Sequence, residues 1–78
     1  MIKQNNNIIK IKINSSFIKL DQLLKLAGLV QTGGQAKIII LDNQVKVNQE
    51  ICFSRGKKIY NKDIVEYNNK IVEVISDV

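Results

Sequence analysis

The sequence predicts an α+β domain in which two short helices pack against one side of a small antiparallel sheet. Apolar residues first recur at every second position, then with a helical period, and then again at every second position. Strands and helices do not alternate along the chain, which argues against a parallel sheet with crossover helices. The length of 78 residues fits a single domain, and the hydrophobic content of 45% indicates a folded core.

The domain is predicted to begin with a strand. Residues 1–7 are polar, so we expect a flexible tail there and a single domain over residues 8–78. In the first strand Ile9, Ile11 and Ile13 fall on one face, with lysines between them on the other. This alternation is typical of a half-buried strand whose lysines protect a sheet edge.

The first helix is predicted within residues 17–28. Asp21 falls in its first turn, where a negative charge suits the helix dipole. Gly28 supplies a stop, because glycine readily adopts the left-handed conformation that ends many helices. The apolar residues at positions i, i+3, i+4 and i+7 form one buried stripe, and they are Leu20, Leu23, Leu24 and Ala27.

The second helix is predicted to begin after Thr32 and to run to about Leu41. Thr32 and Gln35 match a capping box, in which the Thr hydroxyl accepts from the Gln amide and the Gln side chain reaches back. Asp42 and Asn43 are expected to close the helix, since Asn tolerates the left-handed conformation. Its apolar stripe consists of Ala36, Ile39 and Ile40.

Short strands are predicted to follow the helices. Residues 44–48 alternate, with Val45 and Val47 directed inward. Residues 64–67 and 70–75 are expected to form a hairpin, because two Asn residues at its centre accommodate the positive φ of a type I′ turn. The pieces between these strands are two turns and two short extended segments, at residues 48–50, 61–63, 51–53 and 59–60.

The composition argues against catalysis and against a metal or cofactor site. The chain has no His, which is the commonest general base and metal ligand. Cys52 lies between apolar neighbours and is expected to be a half-buried core residue. The carboxylates are scattered without the spacing of a catalytic pair or a metal cluster. We therefore expect no enzyme activity, no cofactor and no small-molecule substrate.

The expected location is the cytoplasm, with no membrane partner. A single thiol cannot form an intramolecular disulfide, and it fits a reducing compartment. The first residues lack the apolar core of a signal peptide. The longest apolar run covers residues 38–41, far short of the roughly 20 residues that a membrane helix needs.

The charge balance favours an anionic partner. Twelve basic residues against seven acidic ones give a formal charge of +5 and a pI near 9.5, which suits nucleic acid or an acidic membrane surface. Arg55, Lys57 and Lys58 cluster tightly in one loop, and Lys37 falls early in the second helix. Contacts from these residues to phosphates would supply affinity that falls as salt rises.

Gly33 and Gly34 fall at the predicted start of the second helix. Exposed amides at the positive end of a helix dipole can hold a phosphate group of a polynucleotide. No Walker or dinucleotide-binding pattern surrounds these glycines. A flexible turn that lets the helices pack explains them equally well, and both interpretations stay open on the sequence alone.

Aromatic residues are few. Phe17, Phe53, Tyr60 and Tyr67 are dispersed along the chain, and we expect them in the core. Platforms for stacking unpaired bases would then be scarce. Recognition is expected to depend on the RNA backbone and its folded shape.

Five segments in this order resemble the S-four domain, the RNA-binding domain that is named after the fourth protein of the small ribosomal subunit and is also called the αL motif. The segments are residues 19–27, 31–37, 45–50, 55–58 and 63–66. The resemblance extends over residues 17–74 and is greatest to stand-alone bacterial members of the YaaA type.

This resemblance implies two helices packed against a small antiparallel sheet, in a non-catalytic protein that binds structured RNA. The implied partner is ribosomal or transfer RNA, with ribosomal particles as a further candidate, and the implied setting is ribosome assembly or translation. Carried over position by position, the implied RNA-binding residues are Lys19, Gln31, Thr32, Gly33, Gly34, Gln35, Lys37, Lys46, Asn48, Arg55, Lys57 and Lys58.

Three alternatives remain at this stage. The chain could be a protein-interaction module of a larger ribonucleoprotein complex, docking through Ile38 and the sheet edges. Two helices around a glycine loop could instead form a helix-turn-helix-like DNA binder, although residues 36–41 offer few polar side chains to read bases. The third alternative is a detached fragment of an enzyme.

Overall fold

The computed structural model describes residues 8–78, and the tail predicted at residues 1–7 lies outside them. Within this range two helices and seven short strands follow one another in an order that starts and ends with strands. They are β1 (Ile8–Ile13), β2 (Phe17–Lys19), α1 (Leu20–Leu26), α2 (Gly33–Leu41), β3 (Lys46–Val47), β4 (Glu50–Ile51), β5 (Lys58–Tyr60), β6 (Ile64–Tyr67) and β7 (Lys70–Ser76). No helix in the described residues is long and apolar enough to cross a bilayer.

The strands form two sheets. The larger has the order β1-β7-β6-β3-β4, and β2 pairs with β5 in a separate two-stranded sheet. The predicted α+β architecture is confirmed, and every pair is antiparallel except β1 with β7. These two strands lie at opposite ends of the described chain, so no hairpin sets their relative direction.

The side chains of β1 alternate as predicted. Ile13 is buried, Ile9 and Ile11 pack against the core, and Lys10 and Lys12 are exposed. The register places Ile9 opposite Val72 and Ile11 opposite Val74, and both of these valines are fully buried. The strand therefore covers one edge of the core while its lysines remain in solvent.

The helix α1 is shorter than the predicted segment, because residues 17–19 are extended and pair with β5. It ends as predicted at Gly28, whose φ is 77°. The amide of Gly28 donates to the carbonyl of Lys25 at 3.0 Å, and that of Leu29 donates to Leu24 at 3.0 Å. These two bonds define a Schellman motif, which satisfies carbonyls that the helix end would leave unpaired.

The helix α2 ends in the same way without glycine. Asn43 has a φ of 61°, as predicted, and its amide donates to the carbonyl of Ile40 at 3.3 Å. The amide of Gln44 donates to Ile39 at 3.1 Å. Asn can occupy this left-handed position at a lower cost than most residues.

The core lies between the large sheet and the two helices. Leucines of α1 pack with small and β-branched residues of α2, β3, β6 and β7. Each fully buried side chain of this size contributes about 1.5–3 kcal/mol to the free energy of unfolding. The buried apolar residues are Ile13, Leu20, Leu23, Leu24, Val30, Ala36, Ile39, Ile40, Val45, Val47, Ile59, Val65, Val72 and Val74. Both predicted helix stripes lie in this set, except that Ala27 is half-buried.

Two hairpin turns use residues with positive φ at both central positions. Asn68 and Asn69 have φ values of 55° and 63°, which confirms the predicted hairpin turn. The turn between β3 and β4 has Asn48 at 50° and Gln49 at 74°. Gln49 has no local compensation of the kind that Asn provides, so this turn is strained.

We predict that Gln49→Gly stabilises the protein by about 1 kcal/mol, because glycine adopts a positive φ without steric cost. Urea denaturation would measure the change. The matched control is Gln22→Gly, an exposed position within α1, where the same substitution is expected to cost about 1 kcal/mol. Equal destabilisation by both substitutions would contradict the assignment of strain to Gln49.

Candidate nucleic-acid interface

The start of α1 is capped by the basic loop that precedes β5. Lys19 at the N-cap position makes no side-chain cap. Instead the amide of Leu20 donates to the carbonyl of Lys57 at 2.8 Å, and the amide of Asp21 donates to that of Arg55 at 3.0 Å. The loop thus satisfies helix amides that would otherwise lack acceptors, and this fixes the loop in place.

The side chain of Arg55 links the starts of both helices. Its Nε donates to Oδ2 of Asp21 at 3.3 Å. Its Nη2 lies 3.8 Å from the position that a Cβ on Gly33 would occupy. The Arg55 side chain remains 51% exposed, so its terminal nitrogens can still reach a ligand in solvent. A surface ion pair of this kind contributes at most about 1 kcal/mol to folding stability. Its main effect here is to fix the position of the Arg55 guanidinium.

The start of α2 has the predicted cap. Oγ1 of Thr32 accepts from the amide of Gln35 at 3.0 Å, and Oε1 of Gln35 accepts from the amide of Gln31 at 2.6 Å. The amides of Gly33 and Gly34 donate to no acceptor within residues 8–78. They therefore remain available at the positive end of the helix dipole.

Further cations lie around this corner. Lys19 and Lys58 are opposite one another in the β2–β5 pair, so their side chains share a face of that sheet. Lys37 lies one turn after Gly33 and therefore on the same side of α2. We call the five exposed cations beside the two helix starts the basic rim, and they are Lys19, Lys37, Arg55, Lys57 and Lys58. Among residues 8–78 the lysines of the rim form no ion pair.

The rim and the exposed glycine amides together offer a backbone-binding surface. Arg supplies planar donors that match a phosphate, and the lysines supply mobile point charges.

Comparison with known proteins also points to a nucleic-acid-binding domain. The model of the S4 domain family, which is the S-four family of the sequence resemblance, matches residues 11–75.

The chain belongs to the S4 domain family. It is 45% identical over 56 residues to the "Probable ribosome maturation protein RlbA" of Bacillus subtilis (strain 168), which covers 72% of this chain and 79% of that protein. It also resembles the solution structure of YbcJ from E. coli, with a TM-score of 0.69, 32% identity and 96% of each chain covered. That structure is described as revealing an αL motif involved in RNA binding. The family resemblance predicted from the sequence is thereby confirmed.

The S4 domain brings most of the predicted RNA-binding residues to one corner. Arg55 of the rim lies beside Gly33, and Gln31, Thr32 and Gln35 build the cap that holds the glycines. The remaining rim lysines surround the start of α1 or, for Lys37, lie one turn along α2. Roles in RNA binding stay predictions for all of these residues.

Two predicted residues lie elsewhere in the S4 domain. Lys46 on β3 stands opposite Glu66 on the large sheet, and it lines a groove with residues of the β6–β7 hairpin. The side chain of Asn48 donates to Oδ1 of Asp63 at 3.1 Å and accepts from the amide of Ile64 at 2.9 Å. Its amide group thus stabilises the turn after β3, and Asn48 lines a hollow that Lys57 and Lys58 of the rim also line.

Two features of this S4 domain differ from what the sequence predicted or lie beyond it. The first is the pairing of Asp21 with Arg55, since the two residues are 34 positions apart. The second concerns the aromatic residues, because Phe53 is 62% and Tyr60 48% exposed, so their assignment to the core was wrong. For Tyr60 the available signal was the spacing Phe-x-Lys in β2 and Lys-x-Tyr in β5, since alternate strand residues share a face. Phe53 lies outside both strands, and no such spacing marks it.

Cys52 is half-buried as predicted, and its thiol lies 3.6 Å from the carbonyl oxygen of Ser54. No group of three or more His, Cys, Asp or Glu side chains within the described part of the chain could hold a metal ion.

We predict that Thr32→Ala destabilises the domain by about 1 kcal/mol, because the amide of Gln35 loses its acceptor. The midpoint of urea denaturation is the measurement. Thr32→Ser, which keeps the hydroxyl, is the control and should stay close to the original protein. A Thr32→Ala variant of unchanged stability would show that this cap is not formed in solution.

Proposed function

We propose that this chain binds structured RNA as a non-catalytic module and acts in ribosome assembly, with ribosomal RNA as its partner. The observation that carries the proposal is the position of Arg55, whose guanidinium lies beside Gly33 at the open start of α2. The names of two similar proteins support it, since one is a probable ribosome maturation protein and the other carries an αL motif involved in RNA binding.

The proposed contact begins with one phosphate at the start of α2. The amides of Gly33 and Gly34 would donate to its oxygens, and the helix dipole adds attraction. Arg55 would approach the same phosphate, because Asp21 engages only Nε, and neither terminal nitrogen makes a hydrogen bond or ion pair within residues 8–78. The lysines of the rim would then contact neighbouring phosphates along the backbone.

The glycines support close approach of the backbone to RNA. A Cβ on Gly33 or Gly34 would meet its nearest neighbour at 3.8 or 3.7 Å, which is ordinary van der Waals contact. Neither glycine has a positive φ. Packing and conformation therefore do not require glycine at either position, whereas a ligand that approaches the amides closely would.

RNA fits this surface better than sequence-specific DNA recognition. A DNA-reading helix carries polar side chains toward the base edges, but α2 exposes Ile38 at 67% and Leu41 at 60%. Structured RNA is recognised mainly through its backbone and shape, for which a rim of cations is sufficient.

The exposed residues Ile38 and Leu41 favour a second candidate function, docking onto a protein of the ribosomal particle. Sedimentation with ribosomal particles would test it. Association that survives ribonuclease and is lost in Ile38→Ser with Leu41→Ser would support protein docking. Association that ribonuclease abolishes would support RNA binding alone.

We predict that changing Arg55, Lys57 and Lys58 together to Ala weakens binding to ribosomal RNA. Each lost phosphate contact should reduce the slope of log affinity against log salt by about 0.7–0.9. Filter binding at several salt concentrations measures both quantities.

The control for that triple variant is Lys10, Lys12 and Lys70 changed to Ala, which removes the same charge from exposed positions outside the rim. This control variant should retain most of the slope of log affinity against log salt. Equal losses in the two variants would mean that only net charge matters, and an unchanged slope in the first would contradict the proposed surface.

We predict that Gly33→Ala and Gly34→Ala leave folding stability unchanged or raise it by about 0.4–1 kcal/mol, because each fits the backbone. The same variants should weaken RNA binding by about 1 kcal/mol, since a methyl group hinders access to the amides. Calorimetric unfolding and filter binding on the same samples separate the two effects. Full RNA affinity in both variants would show that the glycines serve only the turn.

A further inference from the structure

We propose that an unpaired nucleobase of the bound RNA stacks in the hollow lined by Phe53 and Tyr60, with its flanking phosphates on Lys57 and Lys58. This inference rests on the proposed function and deepens it, because it adds recognition of an unpaired nucleotide to the grip on the RNA backbone. The hollow is a separate surface from the start of α2, where Gly33 and Gly34 lie.

Aromatic and basic side chains share the outer face of the β2–β5 sheet. Phe17 stands opposite Tyr60 and Lys19 opposite Lys58, while the intervening pair, Ile18 and Ile59, faces the core. The rings of Phe17 and Tyr60 have centroids 5.9 Å apart and planes inclined by 49°. This tilted contact holds the ring of Tyr60 in place.

The ammonium group of Lys58 lies 4.8 Å from the centre of the Phe17 ring. This cation–π contact positions the charge beside the aromatic face without neutralising it. A ligand that combines a flat π-system with a negative charge matches that arrangement, and a nucleotide has both.

Beside this face lies a hollow of about 440 Å³. Phe53 and Tyr60 both line it, and these two side chains are 62% and 48% exposed. Lys57 and Lys58 line it as well. Exposed aromatic rings beside lysines are the usual components of sites that bind single-stranded nucleic acid, because every base has a face that can stack.

Two carboxylates also line the hollow, and neither forms an ion pair with Lys57 or Lys58 within residues 8–78. Asp63 also lines it, but its Oδ2 accepts from the amide of Tyr60 at 2.7 Å and its Oδ1 from the side chain of Asn48 at 3.1 Å. Glu50 is the other acidic group in the lining, and it forms no ion pair within residues 8–78. The two lysines argue against a purely apolar protein segment as the occupant.

The hollow continues from the rim. Lys57 contributes its carbonyl to the start of α1 and its side chain to the hollow, and Arg55 is only two residues earlier. Two residues span at most about 7 Å of chain, so the part of the rim that contacts Asp21 is adjacent to the hollow. An RNA whose backbone lies on the rim would therefore have its next unpaired base within reach of Tyr60.

The test compares a fully paired RNA duplex with the same duplex carrying one bulged adenosine. We expect Phe53→Ala combined with Tyr60→Ala to weaken binding of the bulged RNA roughly tenfold, leaving affinity for the paired duplex unchanged. The conservative pair Phe53→Tyr and Tyr60→Phe should retain binding of the bulged RNA, because both keep an aromatic face. Ile8→Ala, another exposed apolar position at 51%, is the control for general loss of surface area.

Fluorescence provides an independent readout. The chain has two Tyr and no Trp, so Tyr67→Phe leaves Tyr60 as the single strong fluorophore. At equal saturation the bulged RNA should quench this emission and the paired duplex should not, because only a stacked base contacts the ring.

The outcomes separate this inference from the proposed function. Equal affinity of the double Ala variant and the original protein for bulged RNA, with no selective quenching, would overturn the stacking site while leaving the rim intact. If the original protein binds neither RNA, or binds both without dependence on Arg55, the proposed function itself fails.

Discussion

Two backbone hydrogen bonds, from the first two amides of α1 to the carbonyls of Lys57 and Arg55, are the constraint on which the rest of the structure depends. The start of a helix needs acceptors for its amides, and the residue before α1 supplies none from its side chain. The chain meets this need with a loop that is distant in sequence. The start of α1 and the basic loop therefore stabilise one another, so stability and the proposed function share the same bonds.

The pairing of Asp21 with Arg55 extends this arrangement to the second helix. Asp21 suits the dipole of α1, and it holds a guanidinium that would otherwise move freely. The guanidinium then lies beside Gly33, where the amides of α2 are open. Each contact is weak by itself, since an exposed pair contributes at most about 1 kcal/mol. Together these contacts fix the position of the Arg55 guanidinium between the two helix starts. The aromatic face of the β2–β5 sheet is next to this corner of the domain.

The sequence predicted those features that depend on local chemistry. Alternation located β1 and β7, Gly28 and Asn43 marked the helix ends, Thr32 marked the start of α2, and paired Asn residues marked a type I′ turn. Contacts between distant segments were not predictable in this way. The parallel pairing of β1 with β7, the separate β2–β5 sheet and the bond between Asp21 and Arg55 each join residues without a shared local pattern. The exposed aromatic residues were misassigned because hydrophobic character predicts burial only on average.

The most direct test of the account is amide chemical-shift mapping of the ¹⁵N-labelled protein during titration with a bulged RNA duplex. The amides of Gly33 and Gly34 are expected to shift most, together with those of residues 55–58, because the RNA backbone would bind at the open start of α2. The amides of β1, which lie at the far edge of the large sheet, should change little. Shifts concentrated in β1 and β7, with the two glycine amides unaffected at saturation, would contradict it.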